Sequence, residues 1–380
     1  MSDEWIQTTL GEVAAVNPKE SALPEDAPFI TMADVSEWGV WAEASGPRGT
    51  RAGTRARAGD TLMARITPCL ENGKIAMVPS HLERVGGSTE FIVLRAGDAL
   101  LPEFLFHWTC SFQTHHAAVG TMTGTTGRQR VSGSDLVSLP ILVPPLPVQR
   151  RIVDLMTHLD AHIANLRAET AALGVALRTY RMVTFTHIKD QWPMVKLGDI
   201  VESLDSLRRP VKSADRVPGP YPYYGASGVV DFVDDWIFEG QSLLVSEDGA
   251  NLRARSSPIA FCADGRYWVN NHAHVLRALG STTNEFLAHY LESADIDLAL
   301  TGTTMPKLNA ANLLRIEVPQ PPLAIQQEVT ETLERLAVTV TASENELQRV
   351  GELRTALLRG LLVGAVDIPS AYDLLVEEAA

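Results

Sequence analysis

The chain contains two near-copies of one segment, and this internal repeat constrains the fold more than any other sequence feature. PPLPVQRRIVDLMTHL at residues 144–159 returns as PPLAIQQEVTETLERL at residues 321–336, an offset of 177 residues in a chain of 380. A repeat that recurs after almost half a chain is typical of a duplicated structural unit. Two equivalent halves are therefore expected.

Further segments repeat in the same order. STEFIVLR (88–95) matches NNHAHVLR (270–277), and TGTTGRQR (123–130) matches TGTTMPKL (301–308). WIQTTLGEV near the start of the chain matches WPMVKLGDI, which begins at Trp192. The offset varies between 177 and 187 residues. The order of elements is therefore kept, while the loops between them differ.

Each half divides into a globular part and a long segment without internal proline. The globular part mixes short β-rich runs, Gly/Pro turns and one helical stretch, which predicts an α+β domain. Proline before the long segment suits the first turn of a helix, where a missing N–H costs nothing. The predicted division is a domain at 1–146, a helix at 147–190, a domain at 191–322, a helix at 323–365 and a tail at 366–380.

The two long segments carry an apolar repeat of about 3.5 residues, which is typical of a coiled coil. Its polar members are Thr170, Ser343 and Arg354. The repeat is clearest at Val148, Ile152, Leu155, Leu159, Val329, Leu333, Leu336 and Val340. Neither helix can bury such a stripe alone, so we expect an antiparallel pair; the alternative is that each helix packs on its own domain. The predicted fold is α+β: two globular α/β domains separated by two long antiparallel coiled-coil helices, with a pseudo-twofold internal repeat.

Composition limits the partners and the compartment. The net charge is −14, and each globular segment holds 11 basic and 16 acidic residues, so DNA affinity requires local basic clusters or a partner subunit. Three scattered cysteines without a CxxC motif argue against a zinc site and a disulfide framework. No run approaches the ~20 apolar residues of a membrane span. The start MSDEWIQTTL is unlike a signal peptide. A cytoplasmic protein without membrane association is predicted.

Two similar domains on a rigid spacer suit a ligand with a regular repeat, and duplex DNA is such a ligand. Dimeric DNA-binding proteins contact half-sites about 34 Å apart because their symmetry fixes that distance. The two domains predicted here share scaffold segments but differ in most loop residues. A split target with two unlike halves is therefore the expected ligand.

Four segments of the second half carry a resemblance to a known family. They are YPYYGASGVVDFVDDWIFEGQSLLVSEDGANL (221–252), YWVNNHAHVLR (267–277), MPKLNAANLLRIEVPQPPLAIQQEV (305–329) and LLRGLLVGAVDIP (357–369). Over its full length the chain resembles the specificity (S) subunit of Type I restriction-modification systems. The first half is more divergent, and YYGASG has no clear counterpart near residues 29–35.

The resemblance implies two target-recognition domains, each reading half of a bipartite double-stranded DNA site. It also implies that the helices dock two methyltransferase (modification) subunits, which methylate adenine at N6 with S-adenosylmethionine. Motor-nuclease (restriction) subunits that require ATP and Mg would complete the complex. By this resemblance the chain itself catalyses nothing and binds no cofactor.

Basic loop residues are the predicted DNA contacts of the first domain. Arginine binds phosphate, or the O6 and N7 atoms of guanine, while glutamine pairs with adenine. The glycine-rich stretch GPRGTRAGTRARAGD is interpreted as a loop, with a solvated surface loop as the alternative to DNA contact. The candidates are Arg48, Arg51, Arg55, Arg57, Arg128, Gln129 and Arg130.

The second domain offers basic, aromatic and amide candidates. Tyrosines beside glycine can pack on sugars or bases, although core packing at a strand edge is an alternative for them. The candidates are Arg208, Arg209, Lys212, Tyr223, Tyr224, Ser227, Asn251, Arg253, Arg255 and Lys307.

Catalytic and metal-binding patterns are weak in this sequence. Glu247 and Asp248 are adjacent carboxylates without a partner histidine, and an Asp–Gly turn accounts for them better. His158 and His162 have metal-ligand spacing but no acidic third ligand. GxxxxGK and Asn/Asp-Pro-Pro-aromatic motifs are absent. Two rival hypotheses stay open: a self-contained nuclease or methyltransferase, and a protein scaffold that does not read DNA.

Overall fold

The computed structural model describes residues 5–125, 127–302 and 304–373. These residues divide into two compact units. The first unit extends to Leu166 and resumes at Glu346, and the second unit is Arg167–Asn345. No helix in the described part of the chain is both long enough and apolar enough to cross a membrane.

The globular domain of the first unit mixes short strands and short helices, numbered here in chain order. Its strands are β1 (Ile6–Thr9), β2 (Ala14–Val16), β3 (Pro28–Ile30), β4 (Gly46–Pro47), β5 (Thr54–Arg57), β6 (Thr61–Ala64), β7 (Ile75–Met77), β8 (Arg84–Gly87), β9 (Phe91–Ala96) and β10 (Pro140–Val143). Its helices are α1 (Leu10–Val13), α2 (Pro102–Thr109), α3 (Phe112–Gly120) and α4 (Gly133–Val137). The long helix α5 (Leu146–Gln191) follows.

The second globular domain repeats this order. Its strands are β11 (Met194–Lys196), β12 (Val201–Ser203), β13 (Pro218–Gly225), β14 (Gly228–Val233), β15 (Phe238–Glu239), β16 (Ser242–Ser246), β17 (Ala260–Ala263), β18 (Arg266–Val269), β19 (Ala273–Ala278) and β20 (Glu317–Pro319). Its helices are α6 (Leu197–Ile200), α7 (Asn251–Ala254), α8 (Asn284–Ser293) and α9 (Ala310–Leu313), with 3₁₀ turns at Asp205–Leu207, Ser213–Asp215 and Asp297–Ala299. The long helix α10 (Leu323–Leu362) follows.

The sheets of the two domains have the same strand order. The first domain forms sheets β2-β9-β6-β7 and β4-β3-β8-β5 and the pair β1-β10. The second forms β12-β19-β16-β17 and β14-β13-β18-β15 and the pair β11-β20. In both domains the middle strands of the second sheet, β3 with β8 and β13 with β18, run parallel. The predicted duplication is confirmed strand by strand.

The duplication also shows which residues of the first domain correspond to the tyrosines of YYGASG. In the parallel pair of the first domain, Phe29–Ile30 lie opposite Gly86–Gly87. In the second domain, Tyr223–Tyr224 lie opposite Trp268–Val269. Phe29–Ile30 therefore occupy the position of Tyr223–Tyr224 in the sheet, although the sequence near residues 29–35 has no likeness to YYGASG. Strand pairing uses backbone groups, so it persists after the side chains have diverged.

Each domain core continues into the ends of the long helices. In the first unit, Ile152 and Leu358 are buried in one cluster with Phe104 of α2. In the second unit, Phe185 and Leu333 share a cluster with core residues of α8. Full burial of one such side chain contributes roughly 1.5–3 kcal/mol. The helices are thereby anchored to the domains.

The long helices pair with each other in an antiparallel direction within each unit. In the first unit, Arg151 Nη1 donates to the Ile368 carbonyl oxygen at 2.8 Å, and Arg354 Nη2 donates to Asp160 Oδ2 at 2.9 Å. Later residues on α5 thus meet earlier residues of the C-terminal segment. In the second unit the Thr170 and Ser343 hydroxyl oxygens lie 2.7 Å apart. The polar members of the predicted repeat are therefore hydrogen-bonded within the helix pair.

Candidate nucleic-acid interface

Three loops of the second unit converge on one surface. The Gly249 N–H donates to the Pro306 carbonyl oxygen at 3.1 Å, and Asn251 Nδ2 donates to Ser227 Oγ at 3.2 Å. Lys307 forms isolated bridges with Asp248 and with Thr301. We call the turns at residues 225–228, 247–251, 301–302 and 304–308 the loop cluster. It brings together predicted candidates from three separate parts of the sequence.

An ion network lies at the base of the loop cluster. Glu247 accepts hydrogen bonds from Arg208 Nη1 at 2.8 Å and from Lys307 Nζ at 3.0 Å. Burial would raise the pKa of Glu247, but its bonds to Arg208 and Lys307 outweigh burial and lower this pKa. Arg208 also donates to Asp205 and to the Ala273 carbonyl oxygen. Arg208 therefore stabilises the base of the loop cluster through these contacts. Lys307 is half exposed and lies at the surface of the cluster.

His272 adds a polar group that the sequence interpretation missed. Its side chain is half exposed, and Nδ1 lies 2.9 Å from Asp248 Oδ1. Together with Ser227, Asn251 and Lys307, it gives the loop cluster both donors and acceptors. Base edges in the major groove are read by such groups. A single histidine outside any motif gives no sequence signal that it would lie in this cluster.

The tyrosines of YPYYGASG pack in the interior. Tyr223 is fully buried; its hydroxyl accepts from the Val211 N–H at 2.9 Å. Arg216 lies over the Tyr223 ring, with Cζ 4.3 Å from the centroid. Half-buried Tyr224 packs edge-on against Tyr267 at a centroid distance of 5.7 Å. Both tyrosines therefore pack in the core, which was the alternative to DNA contact, because the strand that carries them lies inside its sheet.

Arg253 and Arg255 are close in sequence but have different roles. Arg255 Nη1 donates to the Leu291 and Glu292 carbonyl oxygens, each at 3.1 Å, and Nη2 donates to Ala294 O at 2.9 Å. These carbonyls belong to the C-terminal end of α8, where a cation is favourable. The assignment of Arg255 to DNA is therefore replaced by a helix-capping role. Arg253 is exposed on α7 and has a loose ion pair with Asp297 at 3.5 Å.

Two further basic candidates of the second unit lie on its surface. Arg209 and Lys212 are exposed in the segment between two 3₁₀ turns. The Arg209 carbonyl oxygen accepts from Trp268 Nε1 at 2.5 Å, which fixes the backbone but leaves the guanidinium exposed. Both side chains can reach a phosphate without breaking an observed ion pair.

In the first unit, Arg55 and Arg57 lie on an edge strand rather than in a loop. Strand β5 pairs with β8 only, and Ala56 between the two arginines is buried. Side chains two residues apart on a strand share one face, so both arginines face solvent together. Arg84 of β8, which the sequence interpretation missed, lies directly opposite Arg57 and is also exposed. Three arginines thus form a basic stripe on one sheet face.

Arg48 and Arg51 hold the turn that precedes this strand. Arg48 Nη1 donates to the Gly49 carbonyl oxygen at 3.0 Å, and Gly49 has φ +59°. Arg51 Nε donates to the Arg48 carbonyl oxygen at 3.0 Å, and its Cζ lies 4.3 Å from the Phe29 ring centroid. Phe29 is the counterpart of Tyr223, over which Arg216 lies in the second unit. Arg51 is exposed and Arg48 is half-buried, so both retain some access to a ligand.

The TGTTGRQR segment of the first unit carries two arginines, whereas its counterpart TGTTMPKL carries one lysine. Arg130 forms isolated bridges with Thr123 and Ile66, as Lys307 does in the second unit, and donates to Glu90 Oε1 at 2.8 Å. Arg128 is exposed, whereas the Gln129 carbonyl oxygen accepts from the Thr67 N–H at 3.1 Å.

Matching backbone hydrogen bonds establish which residues around the two loops are equivalent. In the first unit the bonds run from Arg65 N to Glu90 O and from Val131 N to Arg65 O; in the second unit they run from Glu247 N to His272 O and from Leu308 N to Glu247 O. Arg65 therefore replaces Glu247, and Glu90 replaces His272. Arg65 Nε is buried and meets no hydrogen-bond partner among the described residues. At the position shared by Arg65 and Glu247, one scaffold thus presents opposite charges.

The described residues contain no group of three or more His, Cys, Asp or Glu side chains arranged to hold a metal ion. Glu247 and Asp248 are engaged in the ion pairs above, and Asp248 has a histidine partner, His272, so the expectation that these carboxylates lack one is wrong. His158 Nδ1 lies 2.8 Å from the Asp154 carbonyl oxygen of its own helix.

Parts of the chain are similar to type I restriction enzyme specificity subunits. A putative type I restriction enzyme specificity subunit from Haemophilus influenzae is 38% identical over 149 residues, covering 39% of this chain and 37% of that protein. The EcoAI type I restriction enzyme specificity subunit from Escherichia coli is 31% identical over 172 residues, covering 42% of this chain and 28% of that protein. The matches therefore span well under half the length of these two relatives.

A solved structure supports the fold over nearly the whole chain. The type I restriction-modification S subunit from M. genitalium superposes with a TM-score of 0.60 at 17% identity, covering 96% of this chain and 97% of that chain. At this identity the likeness concerns the fold alone.

The fold and the loops define a class of protein: a duplicated α+β domain, each copy with its own polar loop surface, joined to a pair of long antiparallel helices. The model of the Type I restriction modification DNA specificity domain matches residues 3–173 and 189–351. The chain belongs to this family.

Proposed function

We propose that this chain is the non-catalytic DNA sequence-recognition subunit of a Type I restriction-modification complex. Its two domains read the two unlike halves of a bipartite, asymmetric duplex target. One observation carries the proposal: the same sheet topology occurs twice and presents different side chains at equivalent loop positions. Such an arrangement can read two different half-sites.

The exposed cations are the proposed phosphate contacts. In the first unit these are Arg55, Arg57 and Arg84, which share one sheet face. In the second unit they are Arg209, Lys212 and Arg253, which are exposed. Phosphate contacts fix the position of a protein on DNA without reading its sequence.

Base readout is assigned to the loops. In the second unit, Ser227, Asn251 and Lys307 combine hydroxyl, amide and ammonium groups within the loop cluster. In the first unit, Arg128 and Gln129 lie in the equivalent TGTTGRQR loop. A good bidentate contact discriminates against a wrong base by about 1–3 kcal/mol.

Partner subunits complete the function. A chain with a net charge of −14 gains little from general attraction to DNA, so two docked adenine-N6 methyltransferase subunits supply much of the phosphate contact. The long helices α5 and α10 are the proposed docking sites, and their length sets the spacer between half-sites. S-adenosylmethionine, ATP and Mg belong to the methyltransferase and motor-nuclease subunits. The cytoplasm is the proposed compartment.

The test is to purify the chain alone and together with its modification subunits. With the partners, we expect retention of one bipartite duplex and adenine methylation within it; a duplex with either half-site scrambled should bind more weakly. Methylation or cleavage by the chain alone would support an enzyme. Equal binding of all sequences in the presence of the partners would support a scaffold that does not read DNA.

A further inference from the structure

Three positions at the reading loops, which the matching hydrogen bonds and bridges make equivalent, carry different charges in the two units. We call these positions the loop triad; its members are Arg65, Glu90 and Arg130 in the first unit, and Glu247, His272 and Lys307 in the second. The acid lies at the second position of the triad in the first unit and at the first position in the second unit. This exchange changes which side chains find a partner.

The acid of each triad pairs with the cation at the third position. In the second unit, Glu247 Oε1 lies 3.0 Å from Lys307 Nζ. In the first unit, Arg130 Nη2 donates to Glu90 Oε1 at 2.8 Å, and Arg130 Nε donates to Oε2 at 3.0 Å. Arg130 therefore occupies both oxygens of Glu90, which is the one acid of its triad.

Arg65 is left as the surplus cation of the first triad. Its Nε is buried, and its side chain forms neither a hydrogen bond nor an ion pair with any described residue. The hydrogen bond from Arg130 lowers the pKa of Glu90, and the charge of Arg65 adds to this effect, so Arg65 lies near Glu90 without pairing with it. A buried donor without an acceptor is destabilising. A ligand that supplies acceptors therefore gains from this arginine, and no protein contact has to break when the guanidinium turns toward it.

The comparison between the units favours a base over a phosphate as this ligand. Phosphates lie along both half-sites, so a position that contacts phosphate would favour a cation in both units. This position holds an arginine in the first unit and a glutamate in the second. Base edges differ between two unlike half-sites, and in the major groove they offer acceptors and donors. Guanine offers two acceptors, O6 and N7, which match the donors of a guanidinium.

We propose that Arg65 is a specificity-determining residue of the first unit, and that its guanidinium donates to O6 and N7 of a guanine in the first half-site. The inference rests on the proposed DNA-reading function. Arg130 is a positioning residue, because its pair with Glu90 occupies the carboxylate that would otherwise bind Arg65. The second unit has Glu247 at the position of Arg65 and cannot make the same contact. Equivalent positions therefore read the two half-sites differently.

The unpaired state of Arg65 is tested on the full chain without DNA. Arg65→Met removes a guanidinium that has no partner, so the urea midpoint should stay unchanged or rise. Arg130→Met is the matched comparison; it leaves Glu90 without its partner and should lower the midpoint. A fall in Arg65→Met as large as that in Arg130→Met would overturn the inference, because Arg65 would then hold the fold together. This result does not depend on whether the proposed function holds.

The role in recognition is tested on the complex with its modification subunits. Once the wild-type motif is known, binding is measured for duplexes that carry each single base-pair change in either half-site. Arg65→Met should lower discrimination at one G·C pair of the first half-site about five- to 150-fold, as loss of a bidentate contact does, and leave the other positions unchanged. Arg65→Lys keeps the charge but not the planar set of donors, so it should recover only part of this discrimination.

The second half-site is the internal control, and both variants should read it as the wild type does. Equal weakening of all duplexes, with a salt slope reduced by about one, would assign Arg65 to a phosphate and overturn the inference. If the wild-type complex selects both half-sites and Arg65→Met keeps full discrimination, the role of Arg65 is refuted while the proposed function stands. A wild-type complex that selects neither half-site would refute the proposed function, and the inference with it.

Discussion

Removal of the Asp160 carboxylate should destabilise the helix pair of the first unit more than removal of any neutral polar contact between the helices. Arg354 Nη2 lies 2.9 Å from Asp160 Oδ2, and Arg354 Nε also contacts Oδ1. The side chains are 20% and 16% exposed. Burial would lower the pKa of Arg354, but the Asp160 bond outweighs it, so the guanidinium stays charged. Asp160→Ala therefore leaves a buried cation without its partner.

Breaking a buried ion pair costs roughly 3–5 kcal/mol, and the residual exposure of this pair favours the lower end, about 3 kcal/mol. The neighbouring His107 cannot replace the carboxylate, because an imidazole carries no negative charge and this one is kept neutral by a pKa lowered to about 4. By contrast, Ser343→Ala removes a neutral hydrogen bond in the second unit and should cost about 1 kcal/mol.

The assay is urea unfolding followed by circular dichroism, with hydrogen exchange of the α5 and α10 segments to assign the loss to one unit. The double variant Asp160→Leu, Arg354→Leu removes both charges and should recover most of the stability, because apolar replacement of a buried pair is often neutral. A loss under 1 kcal/mol in Asp160→Ala, or a double variant no more stable than the single one, would refute the reasoning.

Three further predictions concern single side chains. Burial and the charge of Arg354 lower the pKa of His107 from 6.5 to about 4, so stability present above pH 6.5 is lost as pH falls toward 4, by up to about 3 kcal/mol; His107→Leu should flatten urea midpoints over this window, and an unchanged slope would contradict the assignment. Arg255→Ala removes three carbonyl contacts at the end of α8 and should lower the thermal midpoint of the chain, whereas Arg253→Ala should leave it within 1 °C; equal effects would count against the capping role. Arg57→Ala should weaken binding of all duplexes alike and reduce the salt slope by about one, as loss of a phosphate contact does; relaxed specificity at one base would show direct readout instead.

The helices and their pairing could be predicted from the sequence because a heptad pattern is local and periodic. Ser343 and Arg354 interrupt that pattern, and the structure accounts for both by hydrogen bonds to Thr170 and Asp160. Partners such as Asp160 were not predictable, since the register between two helices is set by packing along their whole length.

The globular domains were harder to predict. The stretch around Arg55 contains several glycines and was interpreted as a loop, yet Thr54–Arg57 forms an edge strand, because β8 provides its hydrogen bonds. Arg255 was interpreted as a DNA contact, although its partners lie 36 to 39 residues away. Such long-range contacts leave no local signal. The loop repeats, by contrast, correctly indicated equivalent positions, since Arg130 and Lys307 make corresponding bridges.

Genome-wide mapping of modified adenines, in a host that carries this chain together with its modification subunits, is the most direct measurement. The account predicts methylation within a single motif of two unlike half-sites separated by one fixed spacer, and loss of that motif when the chain is deleted. A continuous or symmetric motif, or methylation that persists unchanged without the chain, would contradict it.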